Sequence, residues 1–100
     1  MADDTERHRI KRGQILRILM ECYPQDESLF VLQGVLEKMG LPTTIETMTQ
    51  YVAYLKDKHY CETKMLKGRS GVRVCVVRIT AKGIDLLDEN NELRDEGVAV

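Results

Sequence analysis

The sequence predicts a small, mainly α-helical domain that carries one antiparallel β-hairpin. Three segments place apolar residues at the three- and four-residue spacing of amphipathic helices, and two alternating, β-branched runs follow them on either side of a polar, glycine-containing turn. A chain of 100 residues with an apolar content of 43% can bury one core but not two. We therefore expect a single domain.

The first helix is predicted over residues 6–23, behind a flexible N-terminus of residues 1–5. Ile10 and Leu19 belong to its apolar side. Gly13 lies within it, although glycine costs about 1 kcal/mol relative to alanine in a helix interior. The bases near its start oppose the helix macrodipole, and contact with phosphates or pairing with nearby acidic side chains accounts for them equally well. They are Arg7, Arg9, Lys11, Arg12 and Arg17.

A second helix is predicted over residues 29–39, with Ser28 as its N-cap and Gly40 at its end. Only Leu41 and Pro42 separate Gly40 from the cap of the next helix. Two helices joined by so short a turn form a helix-turn-helix, in which the second helix is presented outward.

The third helix is predicted over residues 43–58, with Thr43 as its N-cap and Glu46 completing a capping box. Its inward side is predicted to consist of Ile45, Met48, Val52 and Leu55. The opposite side offers hydroxyl, amide and phenol groups that can hydrogen-bond base edges, phosphates or a protein surface. These outward residues are Thr44, Thr47, Gln50, Tyr51 and Tyr54.

The hairpin is predicted from two strands, residues 60–66 and 72–80, joined by a basic turn of residues 67–71. Cys61 and Cys75 then lie close to opposite each other. We favour their interpretation as small apolar strand residues, and a redox pair is the alternative.

The last helix is predicted over residues 81–87, with Thr80 as its N-cap. It either continues through Leu93 or ends before it. We accordingly divide the chain into a domain of residues 6–87 and an acidic tail or helix extension of residues 88–100.

Charge is distributed unevenly, although the net charge is −1. Residues 56–82 hold eight basic and two acidic side chains, a local charge of +6, whereas residues 83–100 hold six acidic and one basic side chain, a local charge of −5. A basic body with an acidic tail favours an anionic partner, with the tail either disordered or shielding the basic surface. Mixed charge that merely keeps the domain soluble is the alternative.

Catalytic and metal-binding motifs are not found in the sequence. His8, His59 and the three cysteines match no zinc-ligand spacing, and no Ser-His-Asp, phosphate-cradling or dinucleotide pattern occurs. The charged N-terminus and the lack of a long apolar run predict a protein of a reducing, intracellular compartment with no membrane span. We therefore predict no enzymatic activity, no cofactor and no metal.

Three stretches carry a resemblance to a known family. They are the basic opening followed by ILRILMECYP at residues 15–24, the Met48, Val52, Leu55 spacing followed by KDKHYCE at residues 56–62, and the step from Thr80 to Gly83. With the predicted order of helices and strands, they resemble winged-helix transcription regulators of the ArsR and MarR kind. The chain looks most like the short ArsR-type proteins encoded in Mu-like prophages, and the resemblance covers residues 7–87.

The resemblance implies a winged helix-turn-helix with three helices, a two-stranded wing and a C-terminal helix. It implies a cytoplasmic transcription regulator that binds double-stranded DNA as a homodimer. The recognition helix would bring Thr44, Thr47, Gln50, Tyr51, Tyr54 and Lys58 to the major groove. The wing would bring Lys67, Arg69 and Arg73 to a flanking phosphate or the minor groove, and the first helix would bring Arg9 and Arg12 to phosphates.

Two departures from the family pattern bear on function. No arginine occurs between Thr43 and Tyr54, although bidentate arginine to guanine is the commonest specific contact with DNA. The Cys-x-Cys metal box of many ArsR-type proteins is also missing, so metal sensing is not implied. The absent arginines, the tyrosines and the low net charge favour a second hypothesis, a non-enzymatic protein-interaction adaptor in a phage or prophage assembly.

Overall fold

The computed structural model describes residues 4–100, which form four helices and one three-stranded antiparallel sheet. In chain order the elements are α1 (Asp4–Cys22), β1 (Glu27–Ser28), α2 (Leu29–Lys38), α3 (Ile45–Asp57), β2 (Cys61–Lys67), β3 (Arg73–Ile79) and α4 (Ala81–Leu87). The predicted fold class is confirmed, because three helices, a β2–β3 wing and a C-terminal helix follow one another as expected. Of the predicted flexible residues 1–5, residues 1–3 lie outside the described part of the chain, and the other two belong to α1.

The sheet has one strand more than the predicted hairpin. Strand β1 pairs with β3, so that Glu27 lies opposite Val77 and Ser28 opposite Val76, and the strand order is β1-β3-β2. No strand is predicted from the sequence between the first and second helices. A strand of two residues is too short to show alternation, so periodicity could not reveal it.

The core lies between α1, α2, α3 and the inner face of the sheet. Its fully buried side chains come from every large element, and they are Ile15, Leu16, Leu19, Leu32, Leu36, Met48, Leu55, Cys61, Val77, Ile79 and Leu86. Burying one such aliphatic side chain contributes roughly 1.5–3 kcal/mol. The helices are therefore held together mainly by apolar packing, and this packing fixes which side of α3 is left for a partner.

The turn between α2 and α3 is fixed by backbone hydrogen bonds. Gly40 has φ +80°, and the amides of Gly40 and Leu41 donate to the carbonyls of Glu37 and Leu36 at 3.1 and 2.9 Å. This is a Schellman motif, in which glycine adopts the left-handed conformation without steric cost. The ammonium of Lys11 donates to the carbonyl of Pro42 at 3.1 Å, which ties α1 to the same turn.

Helix α3 begins at Ile45, two residues after the start of the predicted range. Its N-cap is Thr44, whose hydroxyl oxygen accepts from the Thr47 amide at 3.2 Å. The hydroxyl of Thr43 instead donates to the carbonyl of Leu41 at 2.9 Å. The predicted capping box of Thr43 and Glu46 is therefore wrong, since adjacent threonines offer the same cap chemistry and the turn decides between them.

Helix α3 ends in a second Schellman motif, with His59 in the position that Gly40 holds after α2. His59 has φ +67°, and the amides of His59 and Tyr60 both donate at 2.9 Å, to the carbonyls of Lys56 and Leu55 respectively. The left-handed conformation is unfavourable for a residue with a Cβ.

The register of the hairpin separates the two strand cysteines. Cys61 lies opposite Ile79, and Cys75 lies opposite Met65. The two residues are thus four positions, on the order of 13 Å, apart along the sheet and are not cross-strand neighbours. Both are free, and burial raises the pKa of the Cys61 thiol to about 12. The redox-pair alternative is therefore wrong, and the interpretation as small strand residues is confirmed for Cys61, which is buried.

The step from Thr80 to Gly83 locks α4 against the end of α3. The Thr80 hydroxyl accepts from the Gly83 amide at 3.2 Å, and the Thr80 amide donates to the carbonyl of Tyr60 at 3.0 Å. A Cβ on Gly83 would lie 2.3 Å from that carbonyl oxygen, so only glycine fits. Helix α4 ends at Leu87 and does not reach Leu93; residues 88–100 instead return across α1 and α3.

Candidate nucleic-acid interface

The outward side of α3 differs from the predicted one by part of a turn. The buried side consists of Met48, Tyr51, Val52 and Leu55, with Ile45 only half-buried. The opposite side is centred on Glu46, Gln50, Ala53 and Asp57, all exposed, and Thr49 and Lys56 border it. Thr49 and Lys56 are absent from the predicted outward residues, because placing Tyr51 and Tyr54 outward turns the expected outward side away from them. A helical wheel that placed Tyr51 inward would have found them.

Tyr51 and Tyr54 do not face outward, and that prediction is wrong. Tyr51 is 2% exposed, and its hydroxyl is hydrogen-bonded to Nδ1 of His8 in α1. Tyr54 is half-buried, and its hydroxyl donates to Oδ1 of Asp95 at 3.1 Å. Each phenol hydroxyl forms a hydrogen bond within the chain, so the aromatic ring can be buried without leaving a polar group unpaired. Burial raises the pKa of both phenols.

The other predicted recognition residues remain accessible. Thr44, Gln50 and Lys58 are exposed and Thr47 is half-buried. The Thr44 hydroxyl is partly committed, because it caps the helix and donates to the Thr47 hydroxyl at 3.0 Å. The structure thus brings Thr44, Thr47 and Gln50 together on the outward side of α3, and it places Lys58 at the C-terminal end of the helix.

The tip of the wing carries three exposed cations. Lys67 and Arg73 lie directly opposite each other in the last pair of the hairpin, and Arg69 lies in the loop between them. Within residues 4–100, none of the three side chains makes an ion pair. Like charges directly opposite each other destabilise a strand pair. We call Lys67, Arg69 and Arg73 the wing-tip cations.

The base of the same hairpin is charge-neutralised. Lys64 forms an ion pair with Asp26 at 3.2 Å, and Arg78 forms ion pairs with Asp26 at 3.8 Å and with Glu62 at 3.3 Å. Of the eight basic side chains in residues 56–82, three therefore lie at the wing tip without an ion pair within residues 4–100, two others in the hairpin form ion pairs, and the remaining three lie outside the hairpin, namely Lys56, Lys58 and Lys82.

Arg9 and Arg12 are engaged within the chain, which contradicts their predicted availability for phosphates. The Arg9 guanidinium donates to the Glu6 carboxylate and to the carbonyl of Glu96. Nη1 of Arg12 donates to the carbonyl of Gly97 at 3.0 Å, and its guanidinium lies over the Tyr54 ring. The sequence allows two explanations for the bases at the start of α1, contact with phosphates or pairing with nearby acidic side chains. Arg9 shows the second, because it forms an ion pair with Glu6.

The partner of both arginines is the segment of residues 93–99, which we call the C-terminal strap. It is anchored by Val98, 3% exposed, and by the Ala99 amide, which donates to the carbonyl of Arg9 at 3.0 Å. Asp95 holds its middle, because its two carboxylate oxygens accept from the hydroxyls of Tyr54 and Tyr60, the latter at 2.7 Å. The acidic tail was expected either to be disordered or to shield basic residues. The structure shows the second arrangement, because the strap covers Arg9 and Arg12.

Two glycines make room for the strap. A Cβ on Gly13, in the middle of α1, would lie 1.8 Å from the carbonyl oxygen of Ala99. A Cβ on Gly97 would lie 1.9 Å from the hydroxyl oxygen of Tyr54. Real Cβ contacts are never so short, so alanine at position 13 would displace the strap, and alanine at position 97 would displace either the strap or the end of the Tyr54 side chain. The unfavourable helix glycine in the sequence is thus explained by close backbone approach.

The electrostatics of the strap centre on Asp95. Burial opposes ionisation of this carboxyl group, but hydrogen bonds from Tyr60, the Gly97 amide and Tyr54, with Lys58 nearby, lower its pKa below the usual value. The same contact and burial raise the pKa values of Tyr54 and Tyr60. Near neutral pH the strap is therefore held by an ionised acceptor and two protonated donors.

Within residues 4–100, no three histidine, cysteine or acidic side chains lie close enough together to hold a metal ion. None of the helices in that range has both the length and the apolar character needed to cross a bilayer.

The fold and the exposed helix-turn-helix define the class of this chain as a winged helix-turn-helix domain. No protein-family model matches the sequence. Among solved structures, the chain is similar to a proposed transcriptional regulator from Thermoplasma acidophilum, with a TM-score of 0.63 and 22% identity over 76% of this chain and 75% of that one. It is also similar to a PadR-like transcription factor from Bacteroides fragilis, with a TM-score of 0.62 and 16% identity over 77% of this chain and 75% of that one. At these identities the similarity establishes the fold.

Proposed function

We propose that this chain is a transcriptional regulator that binds double-stranded DNA. The outward side of α3 enters the major groove, and the wing-tip cations contact the phosphates that flank it. No catalytic step is part of this function. The two structural neighbours are described as transcription regulators, which supports the proposal at the level of the fold.

The observation that carries the proposal is the strand pair of Lys67 and Arg73, whose cations form no ion pair within residues 4–100, with Arg69 in the adjoining loop. Three cations at one end of a hairpin repel one another, and this arrangement lowers the stability of the wing. A phosphate backbone would remove that repulsion and form charge-assisted hydrogen bonds. Lys64 and Arg78 already form ion pairs with acidic side chains, so a phosphate would relieve no repulsion at these positions.

The side chains that reach base edges are Thr47 and Gln50, with Thr44 and Thr49 at the border. Gln50 can pair with adenine, and a threonine can contact the methyl group of thymine. Without an arginine on this side, direct reading of guanine is weak, and phosphate contacts supply most of the affinity. Tyr51 and Tyr54 take no part in reading, because they are buried or committed to Asp95.

The active form is a homodimer on a two-fold related site, which is the usual arrangement of helix-turn-helix regulators. Ile10 and Met20, exposed apolar residues on the outer side of α1, support a subunit contact there. The kinship with ArsR-type proteins of Mu-like prophages and the cytoplasmic location stay predictions that rest on the sequence.

A protein-interaction adaptor is the second candidate. The observation that favours it is the exposed apolar pair at the start of α2, where Phe30 is 59% and Val31 46% exposed. Glu46 and Asp57 on the outward side of α3 also repel phosphates. In this case α2 and α3 together would bind a protein surface.

The test is binding of the purified protein to a random-sequence duplex of about 20 base pairs over a salt series. We expect affinity that falls steeply with salt, and a slope reduced by about 0.9 for each wing-tip cation changed to alanine that contacts a phosphate. Lys64→Ala is the matched control, since it removes the same charge from the same strand away from the tip. Absence of binding at low salt, or equal losses in Lys64→Ala and Lys67→Ala, would favour the adaptor.

A further inference from the structure

A helix seated in the major groove meets phosphates on both of its sides. The groove is about 12 Å wide, and a helix with its side chains is 10–12 Å across, so each DNA backbone runs along one flank of the helix. The wing supplies cations to one flank of α3. The other flank of α3 is the one that the C-terminal strap covers. The inference below rests on the proposed function and concerns this second flank.

The two flanks can be assigned from contacts of α3. The carbonyl of Val52 accepts from the Cys61 thiol of β2 at 3.8 Å, so Val52 marks the flank next to the wing. Tyr54 lies two residues further along, which is about 200° around a helix. Its ring carries Arg12 on one side, with the guanidinium carbon 4.2 Å from the ring centroid, and Lys58 Nζ lies 5.6 Å from the same centroid.

The strap occupies the donors of this second flank. Backbone carbonyls of Glu96 and Gly97 accept from Arg9 and Arg12. The strap itself holds two acidic side chains and one basic one, Asp95, Glu96 and Arg94, a charge of −1. In the free protein the strap therefore covers both guanidinium groups and partly neutralises the positive charge that this flank would present to DNA.

The strap buries few apolar side chains. It contains no helix or strand, and Val98 is its one buried apolar side chain within the described residues, with Leu93 partly buried. Segments with few buried apolar contacts open at low cost in free energy. Moreover, the arginines bind neutral carbonyls in the strap, whereas a phosphate offers them a charged acceptor and a stronger hydrogen bond.

We propose that the C-terminal strap is an autoinhibitory cover that competes with DNA phosphates for Arg9 and Arg12. In the free protein the strap binds both guanidinium groups, and the wing alone attracts DNA. On DNA the strap detaches, and Arg9 and Arg12 contact the backbone on the flank opposite the wing. The strap thereby lowers the affinity for all DNA. A site is bound only if its contacts contribute more binding free energy than detachment of the strap costs.

A substitution that sterically displaces the strap tests this competition. Gly13→Ala places a methyl group where the carbonyl of Ala99 lies, while it raises the helix propensity of α1. Gly34→Ala is the matched control, because it makes the same change in α2 where no atom lies within 4 Å of the new Cβ. Hydrogen exchange of the Ala99 amide reports directly whether the strap has detached.

We expect Gly13→Ala to expose the Ala99 amide, to bind random-sequence duplex DNA roughly tenfold more tightly than Gly34→Ala, and to steepen its salt dependence. The slope should increase by about 0.9 for each phosphate gained, hence by about 2 for Arg9 and Arg12 together. Adding Arg9→Gln to Gly13→Ala should remove about half of that increase. Gly97→Ala, a substitution within the strap itself, should reproduce the effect without altering α1.

The outcomes separate this inference from the proposed function. A detached strap with the affinity and slope of Gly34→Ala, together with a loss of binding in Lys67→Ala, would overturn the inference and leave the proposed function standing. DNA binding that appears only in Gly13→Ala or Gly97→Ala would support both. No binding by any variant at low salt would overturn both.

Discussion

The guanidinium carbon of Arg12 lies 4.2 Å from the centroid of the Tyr54 ring, with a second aromatic ring, Tyr51, at 5.5 Å. This contact joins α1 to α3, and it is closed from outside by the carbonyl of Gly97. A cation over an aromatic face is stabilised by about 0.5–2 kcal/mol, more when water is excluded. Arg12 is therefore a structural residue in the free protein.

Arg12→Lys should lower the free energy of unfolding by about 1 kcal/mol, because lysine keeps the charge but loses the planar stack and the directed hydrogen bond to Gly97. Urea unfolding followed by circular dichroism measures this. Arg17→Lys, an exposed position on the same helix, is the control and should be neutral. Equal stabilities for the two variants would show that the stack contributes nothing.

The strap should loosen in acid and not near neutral pH. The pKa of Asp95 is lowered in the folded protein, so its contribution to stability is present above the ordinary aspartate pKa of about 3.9 and is lost as the pH falls through the folded value. The difference in unfolding free energy between the wild type and Asp95→Asn should therefore be constant between about pH 5 and 7 and shrink below about pH 4. A difference that shrinks already above pH 5 would mean that Asp95 is not the ionised acceptor of the two tyrosines.

His59→Gly should stabilise the protein by about 0.5–1 kcal/mol. The left-handed conformation of His59 is strained for a residue with a Cβ, and relief of that strain exceeds the added entropy of the unfolded chain. Gly40→Ala, the reciprocal change at the equivalent position after α2, should destabilise by a similar amount. Thermal unfolding of the two variants checks the signs, and a destabilised His59→Gly would indicate a side-chain role for His59.

The N-cap of α3 should be sensitive at Thr44 and not at Thr43. Thr44→Ala leaves the Thr47 amide without its acceptor and should cost about 1 kcal/mol. Thr43→Ala removes only a hydroxyl that donates to the Leu41 carbonyl in the turn, and it should cost less. Chemical denaturation ranks the two variants, and the reverse order would restore the cap that the sequence predicts.

Much of the fold could be predicted from the sequence because long elements have strong periodic signals. Helix α4 begins at Ala81 as predicted and ends at Leu87, the shorter of its two predicted ends; α2 differs by one residue at one end, and β2 by one residue at each end. The position of Ser28 as N-cap of α2 is confirmed by the Val31 amide, which donates to its hydroxyl oxygen at 3.1 Å. Such local chemistry is read directly from neighbouring residues.

The interface was harder to predict because its geometry depends on residues far apart in the chain. Tyr51 and Tyr54 look like exposed polar residues until His8 and Asp95 are brought to their hydroxyls. Gly13 in the middle of α1 has no local explanation, because only the nearby carbonyl of Ala99 requires a glycine there. Local patterns carry no information about such long-range pairs.

The strap contacts join residues that are far apart in the sequence, which affects when the strap docks during folding. Arg9 meets Glu96 and Arg12 meets Gly97 across 87 and 85 residues of sequence. Closing so long a loop costs entropy that is repaid only when α1 and α3 already stand together. The strap should therefore dock after the rate-limiting step, so that Gly97→Ala accelerates unfolding and leaves the folding rate unchanged, with a φ-value near zero.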